Sequence, residues 1–415
     1  MRLEIKIFRM IKEIKITNFY SFQETTITLR PDTNILIGIN GSGKSNFLKA
    51  IKFLKEGVVG VGLKKYISDD LGGFDNFYFK GKNKSHFTKG VAFQYRFDAK
   101  FLNKLGYEFQ IDKDIFYEIK IHSLSNGINY SIQEEIKNEG GLVYLTSSNG
   151  TAKLDPNIHY KASKSDKNPT LINYNDYDSS ELAFREINDS ERYYELSVLK
   201  KVIKDILVYE YFDTSPSSAI RRPILPTSGK RLLEDGSNLT QILNNIKINF
   251  KKEFQNITDA LNEVNENYNG IDFNILSNNI ELTIDEKKLD SAVHVSSISD
   301  GTLRYLCLLA ILFNPVRGAL ICIDEPELGL HPDMIINISK AVQVASESSQ
   351  VIVSTHNENL LNYFEIENIR VFEKDEQNST QVNSFTRKQF EGWYDKFAVG
   401  EMWKQGDIGG IRYGS

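Results

Sequence analysis

Gly38-Ile39-Asn40-Gly41-Ser42-Gly43-Lys44-Ser45 decides the reading of this chain. It fits the pattern GxxxxGK[ST] and sits between a short apolar run, residues 34–37, and a stretch of helical character, residues 45–54. Glycines at these spacings let the backbone curl until successive N–H groups point at one anion. The positive end of the following helix adds to that field. A lysine at position 44 is the mobile point charge that reaches β- and γ-phosphates, and the Ser45 hydroxyl is placed to ligate Mg²⁺. The expected nucleotide contacts are therefore Gly38, Asn40, Gly41, Ser42, Gly43, Lys44, Ser45 and Asn46.

Three later stretches extend this reading. Ala319-Leu-Ile-Cys-Ile-Asp324-Glu325-Pro326 is an apolar run ending in two carboxylates, and a second apolar run, 351–353, leads to Thr355 and His356. Continuous apolar runs of this length are expected as parallel strands buried on both faces, and ligands bind at the carboxyl ends of such strands. One carboxylate for a metal and one for the attacking water is the division of labour in nucleotide hydrolysis. Asp324 is thus expected on Mg²⁺, Glu325 on the water, and His356 against the terminal phosphate. Between these stretches, Ser299-Asp300-Gly301 precedes the apolar helix expected over 303–313. Ser299 and the Gly301 backbone form either a second anion site at that helix N-terminus or an ordinary N-cap.

The remaining pattern is mixed. A β-hairpin is expected within 11–29, strands within 91–136, and a surface loop over the Ser-, Asn-, Asp- and Lys-rich residues 147–180. Helical spacing recurs over 196–206 and 239–264, a strand pair over 271–275 and 280–284, and an edge strand over 368–374. The fold class is α/β. The expected division is a first part of the head at 1–85, an insertion at 86–290 with strands and then a helical arm, a second part of the head at 291–385, and a tail at 386–415. That tail, with Trp393, Phe397, Met402 and Trp403, is read as docking on its own core, with anchoring of a partner as the alternative.

Composition bounds the functions open to the chain. Among 415 residues, 50 Lys and Arg oppose 55 Asp and Glu, and 40% are hydrophobic. That balance excludes collagen-like and low-complexity chains, and removes bulk charge as an argument for nucleic-acid binding. Cys307 and Cys322 both sit in apolar runs, which fits a reducing interior and excludes a disulfide scaffold. No apolar run approaches the roughly 20 residues of a membrane span, and the N-terminus lacks the apolar block of a signal peptide. A cytoplasmic setting follows as the expectation. Lys80, Lys82, Lys84 and Lys89, then Lys200, Lys201 and Lys204, then Arg221, Arg222, Lys230 and Arg231 are basic clusters, read either as a DNA-facing groove or as solvated surface.

The order GINGSGKSN, SDGT, ICIDEPELGLHP and VSTHN resembles the ABC-type ATPase head of the RecF, SMC and OLD-like families, most closely the compact AAA-15/AAA-21 group. MIKEIKITNFYSF at 10–22 and GSNL at 236–239 resemble it too, so the similarity covers about 10–56 and 290–375. The resemblance implies a P-loop NTPase of ABC-ATPase head type with a mixed β and helical insertion. It implies Mg²⁺-dependent ATP hydrolysis by a homodimer, open to higher assembly, that closes around two ATPs. Ser299 and Gly301 of one subunit would contact the γ-phosphate held by Lys44 of the other, His356 would sense it in cis, and residues 327–332 would cross the interface. The implied role is the ATPase component of a bacterial antiphage defence system with a separate effector protein, a nuclease or toxin. The alternatives are a RecF-like repair ATPase that binds DNA directly and an ATP-dependent scaffold. Two departures stand out: Asp300 occupies a position that is glycine in transporter signatures, and the glutamine that usually contacts Mg²⁺ is unassigned, with Gln94 or the stretch 72–76 as candidates. No acidic DxD motif follows His356, so no Toprim nuclease is expected.

Overall fold

The structure is a computed structural model that describes residues 9–81, 90–106, 109–124, 129–155, 172–175, 177–390 and 397–409. Lys82, Lys84, Lys89 and Trp393 lie outside the described residues, as do residues 156–171 of the expected surface loop.

Seventeen strands are found among the described residues: β1 (Ile11–Phe19), β2 (Phe22–Thr28), β3 (Thr33–Ile37), β4 (Val91–Phe97), β5 (Ile115–Leu124), β6 (Asn129–Asn138), β7 (Val143–Ser148), β8 (Thr151–Leu154), β9 (Ile172–Asn175), β10 (Ile206–Tyr209), β11 (Tyr268–Leu276), β12 (Asn279–Glu286), β13 (Val293–His294), β14 (Leu320–Asp324), β15 (Gln350–Ser354), β16 (Ile369–Lys374) and β17 (Thr380–Ser384). They form three sheets.

The central sheet runs β10-β14-β15-β3-β16-β17, parallel except for β17 at one edge. Its inner strands are apolar throughout because both faces are covered. Leu36, Leu320, Cys322, Ile352 and Phe372 enter one core, shared with the N-terminal sheet and the helix Lys44–Val58. Ile35, Ile37, Ile321, Ile323, Val351 and Val353 enter the other, with the helices Leu239–Asn249, Lys251–Val264, Asp300–Leu312 and Pro332–Ser346. Residues 369–374, expected at an edge, lie inside the sheet because β17 folds back on them.

The second sheet is antiparallel, β2-β1-β4-β5-β6-β7-β8-β9. Its strands alternate buried and half-buried positions, as in Val91–Phe97, since one face packs on the core and the other meets solvent. Part of the stretch expected as loop is here a hairpin, with Asn149 and Gly150 at φ of 50° and 75° joining β7 to β8. Positive φ at both central residues marks the turn whose twist suits paired strands. Buried Gln350 ties the two sheets: its Oε1 accepts from the Ile11 N–H at 3.0 Å, and its Nε2 donates to the Ile11 carbonyl at 2.9 Å.

The described strands of the stretch expected as an insertion, 86–290, extend both large sheets. β4 pairs along β1, and β10 pairs along β14, so this stretch supplies strands to both large sheets. Of the helices expected as an arm, Leu239–Asn249 and Lys251–Val264 pack on the helix Asp300–Leu312, and Tyr194–Lys204 packs on the helix Lys44–Val58, because their apolar faces need that cover. The C-terminal helix Val399–Gln405 docks on the core through Val399 and Met402. No helix among the described residues is long and apolar enough to cross a membrane.

Candidate nucleotide site

The strand order puts the motifs side by side. β15 lies between β14 and β3, with Asp324 opposite Ser354 and Ser354 opposite Leu36, so three loops leave the sheet at adjacent carboxyl ends. They border a cleft of about 730 Å³ lined by the phosphate loop, Glu325, Glu327, His356 and Trp403.

The phosphate loop is shaped by close approach. Gly38 has φ of 144°, and a Cβ there would sit 2.2 Å from the Phe372 carbonyl oxygen. Gly43 has φ of 115°, and a Cβ there would lie 2.5 Å from Thr380 Oγ1. Thr380 Oγ1 donates to the Ser42 carbonyl at 2.6 Å, and Asn46 Nδ2 donates to Ser21 Oγ at 3.0 Å, so the loop is braced from β17 and from the turn between β1 and β2. The helix Lys44–Val58 begins at Gly43 with no side-chain cap and no acid in its first turn. Its first N–H groups are left for an anion.

Lys44 is buried, and its ammonium donates to the Gly38 carbonyl at 2.8 Å and the Ile39 carbonyl at 3.3 Å. Burial pushes its pKa down to about 8, against the supporting charges of Glu325, Asp324 and Glu327. His356 Nε2 lies 3.1 Å from Glu325 Oε1. Burial, and then the Lys44 charge, lower the imidazole below its ordinary value, with Glu325 and Asp324 opposing. Both lowering effects favour the neutral imidazole. Glu325 has φ of 46°, the left-handed region that a side chain adopts only when its surroundings compel it. The compulsion is visible: the Glu325 N–H donates to the Ser354 carbonyl at 3.1 Å and to Ser354 Oγ at 3.0 Å. The Ser354 hydroxyl in turn donates to Asp324.

Of the residues singled out from the sequence, Gly38, Asn40, Gly41, Gly43, Lys44, Ser45, Asn46, Glu325 and His356 line the cleft. Ser42 is buried behind the loop, and Asp324 borders a smaller adjoining cavity while its charge still reaches Lys44. Ser299 and Gly301 do not line the cleft of their own chain. Ser299 caps the helix Asp300–Leu312, its Oγ accepting from the Thr302 N–H at 3.2 Å. Neither glutamine candidate meets the cleft: Gln94 sits in β4 opposite Lys15 and Glu118, and residues 72–76 are not part of the lining.

Several residues here were not singled out for these roles. Glu327, in the loop expected to cross the interface, accepts from the His356 N–H and from Thr355 Oγ1, both at 2.7 Å. It fixes the backbone that carries His356. Burial raises its pKa, against those two hydrogen bonds. Arg221 is buried beside the turn that leads into the helix Asp300–Leu312, donating to the carbonyls of Thr214 at 2.8 Å and Ile298 at 2.6 Å and pairing with Asp300. That pair explains how an acid is accommodated at position 300. Glu327 was legible as the third acid after the strand; Arg221 and Trp403 carry no local signal.

Adjacent phosphate loop, acidic strand end and histidine on a parallel sheet define a P-loop ATPase with the fold of SMC heads. Solved structures agree on the fold. An SMC head bound to the C-terminal winged-helix domain of ScpA matches with a TM-score of 0.54 at 13% identity, covering 92% of this chain and 99% of that one. An SMC head with an extended coiled coil from Pyrococcus furiosus gives 0.57 at 12% identity, covering 93% and 99%. Residues 33–362 match the family model described as "AAA domain, putative AbiEii toxin, Type IV TA system", and the chain belongs to that family. Among named relatives, the "Retron Ec83 probable ATPase" of Escherichia coli is 21% identical over 86% of this chain and 70% of its own length. An "ATP/GTP phosphatase" of Helicobacter pylori is 23% identical over 90% and 91%.

Proposed function

We propose that this ATPase hydrolyses ATP with Mg²⁺ in the cleft described and works as an ATP-gated homodimer. The observation that carries the reading is the meeting of Lys44, Glu325 and His356 in one cleft. Lys44 and the free N–H groups of its helix hold the phosphates. Glu325 takes or orients the proton of the attacking water, and His356 faces that carboxylate and the terminal phosphate. Ser45 and Asp324 offer a hydroxyl and one carboxylate, a donor set that suits Mg²⁺, which takes few protein oxygens beside those of a triphosphate. Mg²⁺ held there supplies neutralisation of the charge that develops between β- and γ-phosphates.

Ser299 and Gly301 lie off their own chain's cleft, which supports their use by a second copy. Bound ATP then joins the subunits, and hydrolysis releases them. The biological setting is bacterial defence, with a separate nuclease or toxin as effector. Two relatives bear the name of retron probable ATPases, and the family description names a toxin–antitoxin system. The test is complementation. Lys44→Ala and Ser299→Ala each abolish turnover, and mixing them restores part of it through one hybrid site. No recovery in a demonstrably mixed dimer refutes the shared site.

A further inference from the structure

Glu325-Pro326-Glu327-Leu328 is one tight turn, closed by the Leu328 N–H donating to the Glu325 carbonyl at 3.1 Å. It carries both acids that meet His356. Glu325 lies 3.1 Å from the imidazole, and Glu327 accepts from the His356 N–H at 2.7 Å. The sheet holds the first residue, since the Glu325 N–H donates to Ser354. The far end, Leu328, has left the sheet and lines both the nucleotide cleft and the small cavity beside it. A turn that starts at a positive φ persists only where its surroundings over-determine it.

Arg304 holds that far end. It stands one turn into the helix Asp300–Leu312, between the fully buried Leu303 and Tyr305. Its guanidinium donates to the Leu328 carbonyl at 3.4 Å and to the Tyr211 hydroxyl at 3.2 Å, and its centre lies 5.1 Å from the Tyr211 ring centroid. A planar fork serves two acceptors at once while its face rests on a ring, which an ammonium cannot do. The backbones on either side come equally close. A Cβ at Gly329 would lie 2.7 Å from Arg304 Nη1, and a Cβ at Gly301 would lie 2.9 Å from the Gly329 carbonyl oxygen. The helix that bears Arg304 is itself fixed, with Ser299 as its cap and Asp300 paired to buried Arg221. Arg304 does not line the nucleotide cleft.

We propose that Arg304 is a positioning residue for hydrolysis: from the helix Asp300–Leu312 it clasps the turn that carries Glu325 and Glu327, so that both acids keep their place against His356. The inference rests on the hydrolytic reading of the cleft and deepens it. Arg304 touches no nucleotide and acts through Glu325.

The test compares steady-state turnover, calorimetric binding of a non-hydrolysable ATP analogue and thermal melting on the same preparations. Arg304→Met is expected to lower kcat at least about tenfold, because a small misplacement of a reacting group costs that much, while analogue affinity changes less than about threefold. Tyr211 is 60% exposed, so Tyr211→Ala keeps the fold while removing the seat of the guanidinium. It lowers kcat in the same direction, and adds less than about twofold to the loss in Arg304→Met, since both act on one clasp. A residue that acts through Glu325 has nothing to act on once that carboxylate is gone. In single-turnover assays of Glu325→Gln, adding Arg304→Met therefore lowers the residual rate less than about twofold. Unchanged kcat in Arg304→Met, an equal loss of analogue affinity, or a full further loss in the Glu325→Gln background overturns the proposal. If Glu325→Gln itself turns over ATP at the wild-type rate, the hydrolytic reading falls and this inference with it. If Glu325→Gln loses turnover while Arg304→Met keeps it, only the role of Arg304 falls.

Discussion

The charge on Lys44 gives the sharpest prediction, because its environment sets a titration near physiological pH. The ammonium is protonated below about pH 8 and neutral above. A phosphate-binding lysine must be charged, so affinity for a triphosphate is present below that pH and lost as pH rises through it. With a pKa of about 8, about nine-tenths of the free protein carries the charge at about pH 7 and about one-tenth at about pH 9, so the apparent affinity falls roughly tenfold across that range. The assay is calorimetric binding of a non-hydrolysable ATP analogue with Mg²⁺ from about pH 6.5 to 9.5. Cys307 and Cys322 do not obscure the limb, since burial pushes both thiols well above their ordinary value. Two variants assign it. Lys44→Arg keeps its charge throughout and removes the limb, even if it binds more weakly. Glu325→Gln removes the foremost of the charges that support the ammonium, and moves the limb to lower pH. A flat wild-type profile to about pH 9.5, or a limb that persists in Lys44→Arg, refutes the reasoning.

Two further outcomes follow from the contacts around the site. Glu327→Leu removes the acceptor for the His356 N–H and the Thr355 hydroxyl, so His356 loses its position while the phosphate loop stays intact; ATP turnover drops on the order of a hundredfold with affinity changed by less than about threefold, checked by steady-state kinetics and binding on one preparation. Arg221→Met leaves the carbonyls of Thr214 and Ile298 and the Asp300 carboxylate without their cation. If the site is shared as proposed, turnover is lost when the variant supplies Ser299 and Gly301 in a mixed dimer with Lys44→Ala, and analogue binding stays near that of the wild type.

How much of this was legible in the sequence depends on the range of the contacts involved. The phosphate loop, the acidic strand end and His356 each follow an apolar strand in a contiguous run, so local pattern sufficed to find them. Parallel pairing then put their loops together, as the strand-end rule implies. The hairpin at residues 148–151 was local too, and Asn149-Gly150 is its signal; the polar composition around it drew the reading toward loop. What local pattern could not show was long range. Strand β4 lies far along the chain from β1 yet pairs with it throughout, and β10 completes the central sheet from within an apparent insertion. Arg221 meets Asp300 across 79 residues, and Trp403 reaches a cleft whose loop begins at Gly38. Such contacts depend on packing of whole elements, which alternation and spacing do not encode.

In the proposed reaction Glu325 carries the hydrolytic step, in a cleft that binds ATP without it. The most direct measurement is single-turnover phosphate release with Mg²⁺ and saturating ATP, wild type against Glu325→Gln, with nucleotide binding measured on the same samples. The variant is expected to bind ATP and release phosphate at least about a hundredfold more slowly, the loss expected of a missing general base. Wild-type rates of release from Glu325→Gln would contradict it.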